Sequence, residues 1–372
     1  MNWKAKPLGS CIEVFDSCRR PVTKKDRVLG PYPYYGASGI VDYVDSYIFE
    51  GLHVLVAEDG ENLRSRKLPI AYLADGRFWV NNHAHVLRAN DENDTRFLSY
   101  MIESLDLSGF ITGSTQPKLS QAALLSIPLR LPKLAEQRRI AGVLGVLDDK
   151  IESNRRIAVK CDEVANILFH QAASVNRKLD EVSEVRMGVS PPGSSYNETG
   201  EGIAFFQGVR DFSYLHPVAR VYTNAPKRLA KPGDILFSVR APVGRLNIAD
   251  STCCIGRGLA AITSNRSAIC LFALRAAAAE WEKFSAEGTV FGAVNQKSLK
   301  STLIPWPDPV AEEELEYQLS SLVALASQSE RESISLSKLR DTLLPELMSG
   351  RMRVDEAGRL VSEALDEEVA DV

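Results

Sequence analysis

Ile140, Leu144, Leu147, Ile151, Asn154, Ala158, Cys161, Ala165 and Leu168 follow one another at alternating steps of four and three, and no proline falls between Lys133 and Gln171. Such spacing is a heptad seam, and it demands one continuous α-helix with an apolar stripe along one side. Roughly 38 residues at 1.5 Å each make a rod of about 57 Å, against an average helix of ~11 residues. Asn154 is the one polar residue in the stripe, a usual device for fixing register. The intervening steps carry DDK, ESNRR and KCDE, a solvated face. Each buried Leu or Ile contributes on the order of 1.5–3 kcal/mol, so the stripe needs a partner surface.

A second stripe can supply it. Leu315, Leu319, Leu322, Ala326, Ser329, Ser333, Leu336, Leu343 and Leu347 keep the same stepping, with Arg340 in the row. Glu312, Glu313, Glu314 and Glu316 occupy the first turns, where the helix dipole favours anions. The centre, ASQSERESIS, is polar and weak, and Pro345 implies a break or kink before the last few residues. Antiparallel pairing of the two helices buries both stripes. The alternative is that each helix packs on its own globular domain.

The order of features also repeats, with a period of about 175 residues. LGSCIEV from Leu8 and LDEVSEV from Leu179 open the two copies. GSTQPKLSQAALLSIPLRLPKLAEQ and GTVFGAVNQKSLKSTLIPWPDPVAEEE close them: a Gly-led loop, a short helical stretch, an Ile-Pro pair, a Pro-rich strand, then Ala-Glu opening a long helix. Residues 40–57 and 78–88 alternate apolar and polar and are rich in β-formers. IAFFQGV, GDILFSVR, GRLNIA and GLAAITS are strand candidates in the second copy, and short helices are expected at 95–105 and 268–286. The predicted fold is α+β: two α+β domains separated by a long antiparallel two-helix coiled coil, a repeat with pseudo-two-fold symmetry. The expected boundaries are 1–132 and 177–309 for the domains, 133–176 and 310–348 for the central and distal long helices, and 349–372 for an acidic C-terminal tail.

Several function classes fall away. No run of about 18 apolar residues exists, and the first residues lack an apolar signal-peptide core, so a cytoplasmic protein is expected, with no membrane partner. None of the six cysteines forms a C-x-x-C pair, which points to idle buried thiols rather than zinc or disulfides. His83 and His85 would share one face of a strand, but no Cys, Asp or Glu stands at ligand spacing beside them. No metal site is expected. The net charge is −4, but residues 308–372 hold 16 acidic and 6 basic side chains. The remainder, with 38 basic against 32 acidic, is mildly basic, which permits a DNA-binding face.

LPKLAEQRRIAGVLGVLDDKIESNRRI resembles the central conserved region of the specificity subunits of type I restriction-modification systems. LSKLRDTLLPELMSGRMRV resembles the distal counterpart, and GSTQPKL and NNHAHVLR fit the family's target-recognition domains. The resemblance covers residues 1–353, with departures in the second copy, where AEEELE replaces AEQRRI and VNQKSL stands for QPKLS. It implies a non-catalytic DNA-recognition subunit with no cofactor of its own. Each domain would read one half of a bipartite asymmetric site on double-stranded DNA, and the helical pair would set the spacer. Partners implied are two adenine-methylating modification subunits, which use S-adenosylmethionine, and restriction/translocase subunits, which use ATP and Mg. The alternatives are an orphan or shuffling-cassette recognition subunit without restriction activity, and a helical scaffold or enzyme unrelated to DNA.

No catalytic residue is assigned. The chain lacks a G-x-x-x-x-G-K-[ST] loop and an Asn/Asp-Pro-Pro-aromatic stretch, and the Pro-Asp of PWPDPV lacks a trailing acid and lysine. DNA contacts are sought where basic and amide side chains sit on loops. In the first domain these are Arg64, Arg66 and Lys67 after Asp59-Gly60, with Ser114, Thr115, Gln116 and Lys118 in the Gly-led loop. Arg19, Arg20, Lys24 and Lys25 form a second patch. A plain N-cap and turn before 119–125 explains the Gly-led loop equally well. In the second domain the candidates are Gln207 and Arg210, then Arg240 and Arg245 in SVRAPVGR, Arg257, and Asn295, Gln296 and Lys297. The helix-pairing candidates are Ile140, Leu144, Leu147, Ile151, Asn154 and Leu168 against Leu315, Leu319, Leu322, Leu336 and Leu343.

Overall fold

A computed structural model describes residues 3–286 and 292–370. The chain forms two compact units, residues 1–150 with 335–372, and residues 151–334. The central helix spans Leu134–Ala172 and the distal helix Glu312–Ser349, and each contributes one segment to each unit.

The two units share one topology. In the first, a four-stranded antiparallel sheet runs in the order Ile12–Val14, Ala84–Ala89, His53–Ala57, Ala71–Ala74. In the second, the same order is Glu184–Met187, Leu259–Thr263, Ile235–Ser238, Leu246–Ile248. Each unit also has a sheet with a parallel pair, Tyr32–Gly36 beside Arg77–Val80 and Ile203–Phe206 beside Cys253–Ile255. A two-residue strand then pairs antiparallel to the latter member, Phe49–Glu50 in one unit and Leu229–Ala230 in the other. A two-stranded ribbon leads into each long helix, Lys4–Pro7 with Pro128–Leu131 and Ala173–Lys178 with Leu303–Pro307. The repeat is therefore carried by hydrogen-bond order, where residue identity is low.

Packing follows the pattern of apolar residues. His53–Ala57 is buried throughout, as a strand covered on both faces must be. Leu55 and Val86 join Phe49, Phe78 and Val80 in one cluster, and the Phe49 and Phe78 rings stack at 5.4 Å. The helix Thr95–Ser104 begins at Asp94, whose side chain accepts from the Phe97 N–H. In the second unit the expected helix 268–286 is two helices, Ser267–Ala276 and Ala278–Ala286. The break carries Trp281 into the core, with its indole N–H donated to the Leu274 carbonyl at 2.9 Å.

Both long helices bury the stripes. In the first unit Ile140, Leu144 and Leu147 of the central helix, and Leu336, Leu343 and Leu347 of the distal helix, are enclosed. Arg340 donates to Asp148 at 2.9 Å. In the second unit Ala158 and Cys161 pack with Ala326, while Ala165 and Phe169 share a cluster with Leu315 and Leu319. Rising numbers on one helix meet falling numbers on the other, so the segments run antiparallel. Asn154 is buried. Ile151, Leu168 and Leu322 are half-buried, and Phe169 takes the enclosed place expected of Leu168.

Two expectations about the distal end change. The helix does not break at Pro345 but continues to Ser349, and it ends where Gly350 adopts φ 70°, a conformation that favours glycine. Residues 354–370 are not a plain tail; Val354–Ala370 is a helix. Val354, Ala357 and Val361 are buried, a spacing that places all three on one helical face, and Arg139 of the central helix pairs with Asp355.

Candidate nucleic-acid interface

In the second unit a cleft of about 670 Å³ opens above the parallel strand pair. Gln207 and Arg210 come from the turn after Ile203–Phe206, Arg240 from the end of Ile235–Ser238, and Arg257 from the turn after Cys253–Ile255. Tyr196 and Phe205 form one wall, their rings 4.9 Å apart. Strand ends converge here because the sheet order brings three separate turns to one rim. Gly258 lets them close: a Cβ there would lie 2.3 Å from the Gln207 carbonyl oxygen.

The cleft lining holds four arginines against two acidic residues, Glu198 and Asp211. Arg210, Arg240 and Arg257 are exposed, and among the described residues their side chains make no ion pair or hydrogen bond. Arg186, Arg275 and, at the cleft edge, Arg220 are paired, with Asp234, Asp162 and Asp211, whereas Arg228, Arg245 and Arg266 elsewhere in the unit, like the three on the rim, have no side-chain partner among the described residues. A guanidinium presents five fixed donors, so unpaired arginines converging on a cleft suit phosphate oxygens or guanine edges. Arg245 lies outside the cleft lining; its N–H bonds the Ser238 hydroxyl at 2.8 Å. Asn295 caps the helix Gln296–Ser301, accepting from the Ser298 N–H at 2.9 Å. Gln296 donates to the Val185 carbonyl at 3.3 Å, and Lys297 is exposed.

The first unit repeats the scaffold of this rim with different side chains. Glu58 N–H donates to the His83 carbonyl at 2.9 Å, as Val239 N–H does to Gly258 at 2.9 Å. Leu119 N–H donates to Glu58 at 2.8 Å, as Val294 N–H does to Val239 at 3.0 Å. Asn81 N–H donates to Tyr35 at 3.0 Å, as Gly256 N–H does to Phe206 at 2.9 Å. By this register Asp59 stands where Arg240 does, and Asn82 where Arg257 does. The first unit thus offers a carboxylate and an amide at positions where the second offers two guanidinium groups.

The basic residues expected of the first unit divide into two kinds. Arg64 donates to the carbonyls of Gly113 and Ser114, the latter at 3.0 Å, and so holds the Gly-led loop. Arg66, in the left-handed conformation at φ 46°, donates to the Leu105 carbonyl at 2.8 Å and to Glu103. Both guanidinium groups are occupied by the protein's own carbonyls. Lys118 pairs with Glu58 at 3.2 Å. Lys67, Ser114, Thr115 and Gln116 are exposed, as are Arg20, Lys24 and Lys25, while Arg19 pairs with Glu58 at 2.6 Å. Ser120, one residue past the loop, caps the helix Gln121–Ser126.

His83 and His85 do not share a face. The strand begins at Ala84, so His83 stays in the preceding turn, exposed and 2.9 Å from Asp59. His85 is buried, and the fold brings Asp16 and Glu58 to it from distant segments. Nδ1 lies 2.6 Å from Asp16 and Nε2 lies 2.8 Å from the Leu119 carbonyl. Both ring nitrogens face oxygen atoms, a carboxylate on one side and a main-chain carbonyl on the other. Asp16 is hydrogen-bonded to His85, and Arg19 bridges Asp16 and Glu58.

The family model of the type I restriction modification DNA specificity domain matches residues 1–160 and 173–333. The chain belongs to this family. It is 31% identical over 265 residues to a putative type I restriction enzyme specificity subunit, MjaX, of Methanocaldococcus jannaschii, covering 64% of this chain and 62% of that one. It is 38% identical over 148 residues to a putative specificity subunit, S.HindORF215P, of Haemophilus influenzae, covering 40% and 37%. The matches thus span less than two thirds of either relative. The crystal structure of a type I restriction-modification S subunit from M. genitalium has the same fold, with a TM-score of 0.67 at 17% identity over 93% of this chain and 96% of that one. No helix among the described residues is long and apolar enough to cross a membrane.

Proposed function

We propose that this protein is the sequence-reading subunit of a type I restriction-modification complex. Each unit reads one half of a bipartite, asymmetric site on double-stranded DNA, and the two long helices set the unread spacer. The observation that carries the reading is the rim of arginines and an amide on one copy of a duplicated scaffold, where the equivalent positions of the other copy hold a carboxylate and an amide. A duplicated frame with divergent rims suits two unlike half-sites. The helices dock two adenine-methylating modification subunits, which supply S-adenosylmethionine chemistry, and a full complex adds ATP- and Mg-dependent restriction/translocase subunits. The chain itself positions DNA and holds no reacting group.

Mapping methylated adenines in DNA from cells that express this chain with its modification partner tests the proposal. Two short blocks separated by a fixed gap are expected. A single contiguous motif would refute the split-site reading.

A further inference from the structure

We infer that Glu330, on the distal helix, is a positioning residue for the reading loop of the second unit; this rests on the cleft being a DNA-binding surface. Glu330 is buried. Its Oε1 accepts from the Leu215 N–H at 3.1 Å and its Oε2 from the His216 N–H at 3.2 Å. Among the described residues no basic side chain pairs with it. A buried carboxylate without a cation is costly, and here the compensation comes entirely from the main chain of one loop.

That loop is secured from every side. Ser327 meets His216 Nε2 at 3.0 Å, and His216 Nδ1 donates to the Ile248 carbonyl at 2.9 Å. Tyr214 donates its hydroxyl to the Ala158 carbonyl of the central helix at 3.1 Å. Asn247 grips the Ser213 main chain through both amide atoms, each at 3.1 Å. Val218 N–H returns to the Asp211 carbonyl at 2.8 Å. The two ends of the same loop carry Arg210 and Asp211 on one side and Arg220 on the other into the cleft. Glu330 touches no cleft residue, yet it fixes the main chain that aims them. The loop thus joins the reading rim of this unit to both long helices.

The test uses the complete complex with its modification partner. Glu330→Ala is expected to relax base choice about tenfold at one or two positions of a single half-site, leaving the other block at wild-type fidelity. Glu330→Gln keeps an acceptor oxygen and should restore most of the discrimination. If the alanine variant does not fold, Tyr214→Phe, which removes only the bond to Ala158, is scored in the same way. A folded Glu330→Ala complex that reads both blocks with wild-type fidelity would overturn the inference. So would a uniform loss of affinity for all sequences. A wild-type complex that methylates one contiguous motif would instead overturn the DNA reading beneath it.

Discussion

Asp16 Oδ2 lies 2.6 Å from His85 Nδ1, with the two side chains 9% and 1% exposed. Burial pushes the Asp16 carboxyl up, but the hydrogen bonds from His85 and the Val86 N–H, with the charges of His85 and Arg19, hold it below its ordinary value. Glu58 is lowered in the same manner, burial being outweighed by Arg19, His85 and Lys118. A carboxylate lowered in the folded state binds its proton less readily there than in the unfolded chain. Its contribution is complete above the unfolded value of about 4 and disappears as pH falls through the folded value. Denaturant midpoints should stay level from pH 7 to about 5 and then drop. Asp16→Asn should cost about 3 kcal/mol at pH 7 and flatten the acid limb; an unaltered limb would refute this account.

The two kinds of arginine separate by experiment. Arg240→Ala and Arg257→Ala remove unpaired exposed groups, so thermal stability should change by less than about 0.5 kcal/mol while DNA affinity falls. A phosphate contact lowers the salt slope by about 1, whereas a base contact relaxes one position of the site. Arg64→Ala and Arg66→Ala release loop carbonyls instead. They should lower the unfolding free energy by about 1–2 kcal/mol and spare the salt slope. Titrations at several ionic strengths, with matched melting curves, decide both halves.

Asn154 is 1% exposed, and its Nδ2 has no hydrogen-bond partner among the described residues. A buried unsatisfied donor costs about 1–3 kcal/mol. Asn154→Leu should therefore raise the unfolding free energy by roughly that amount, read from urea curves of equal slope. A destabilised variant would show that the amide is satisfied in solution.

Thiol chemistry gives an independent check on burial. Cys18 is exposed and the other five cysteines are buried. Burial pushes the Cys253 and Cys270 thiols up to about 12, and the thiolate is the reactive form. Brief alkylation of the native protein at pH 8 should modify Cys18 alone, as peptide mass spectrometry would show. Rapid labelling of Cys270 would contradict the packing of the helix Ser267–Ala276.

Much of the frame is legible in the one-dimensional pattern. The four-three stepping from Ile140 to Leu168 fixes a helix because periodicity is local. The repeat can be seen because turn residues mark its joints. Distant partnerships are hidden. ASQSERESIS reads as a weak stretch of helix, yet Ser327, Ser329 and Glu330 are buried, and the loop that Ser327 and Glu330 meet lies 115 residues away from Glu330. Asp16 and His85 are 69 residues apart, so no spacing rule joins them. Arg64 and Arg66 look like a DNA patch because the sequence shows charge without showing which carbonyls absorb it. Gln207, Arg210, Arg240 and Arg257 are visible as loop residues, but only the strand order gathers them on one rim.

The matched bonds beneath the two rims join backbone to backbone: Glu58 to His83 in one unit, Val239 to Gly258 in the other. These matched bonds do not depend on which side chain each position bears, so aspartate and arginine can occupy equivalent places over the same main-chain frame. New vocabulary can be written on an old page, and the cost of acquiring a different target falls on a handful of surface codons rather than on folding.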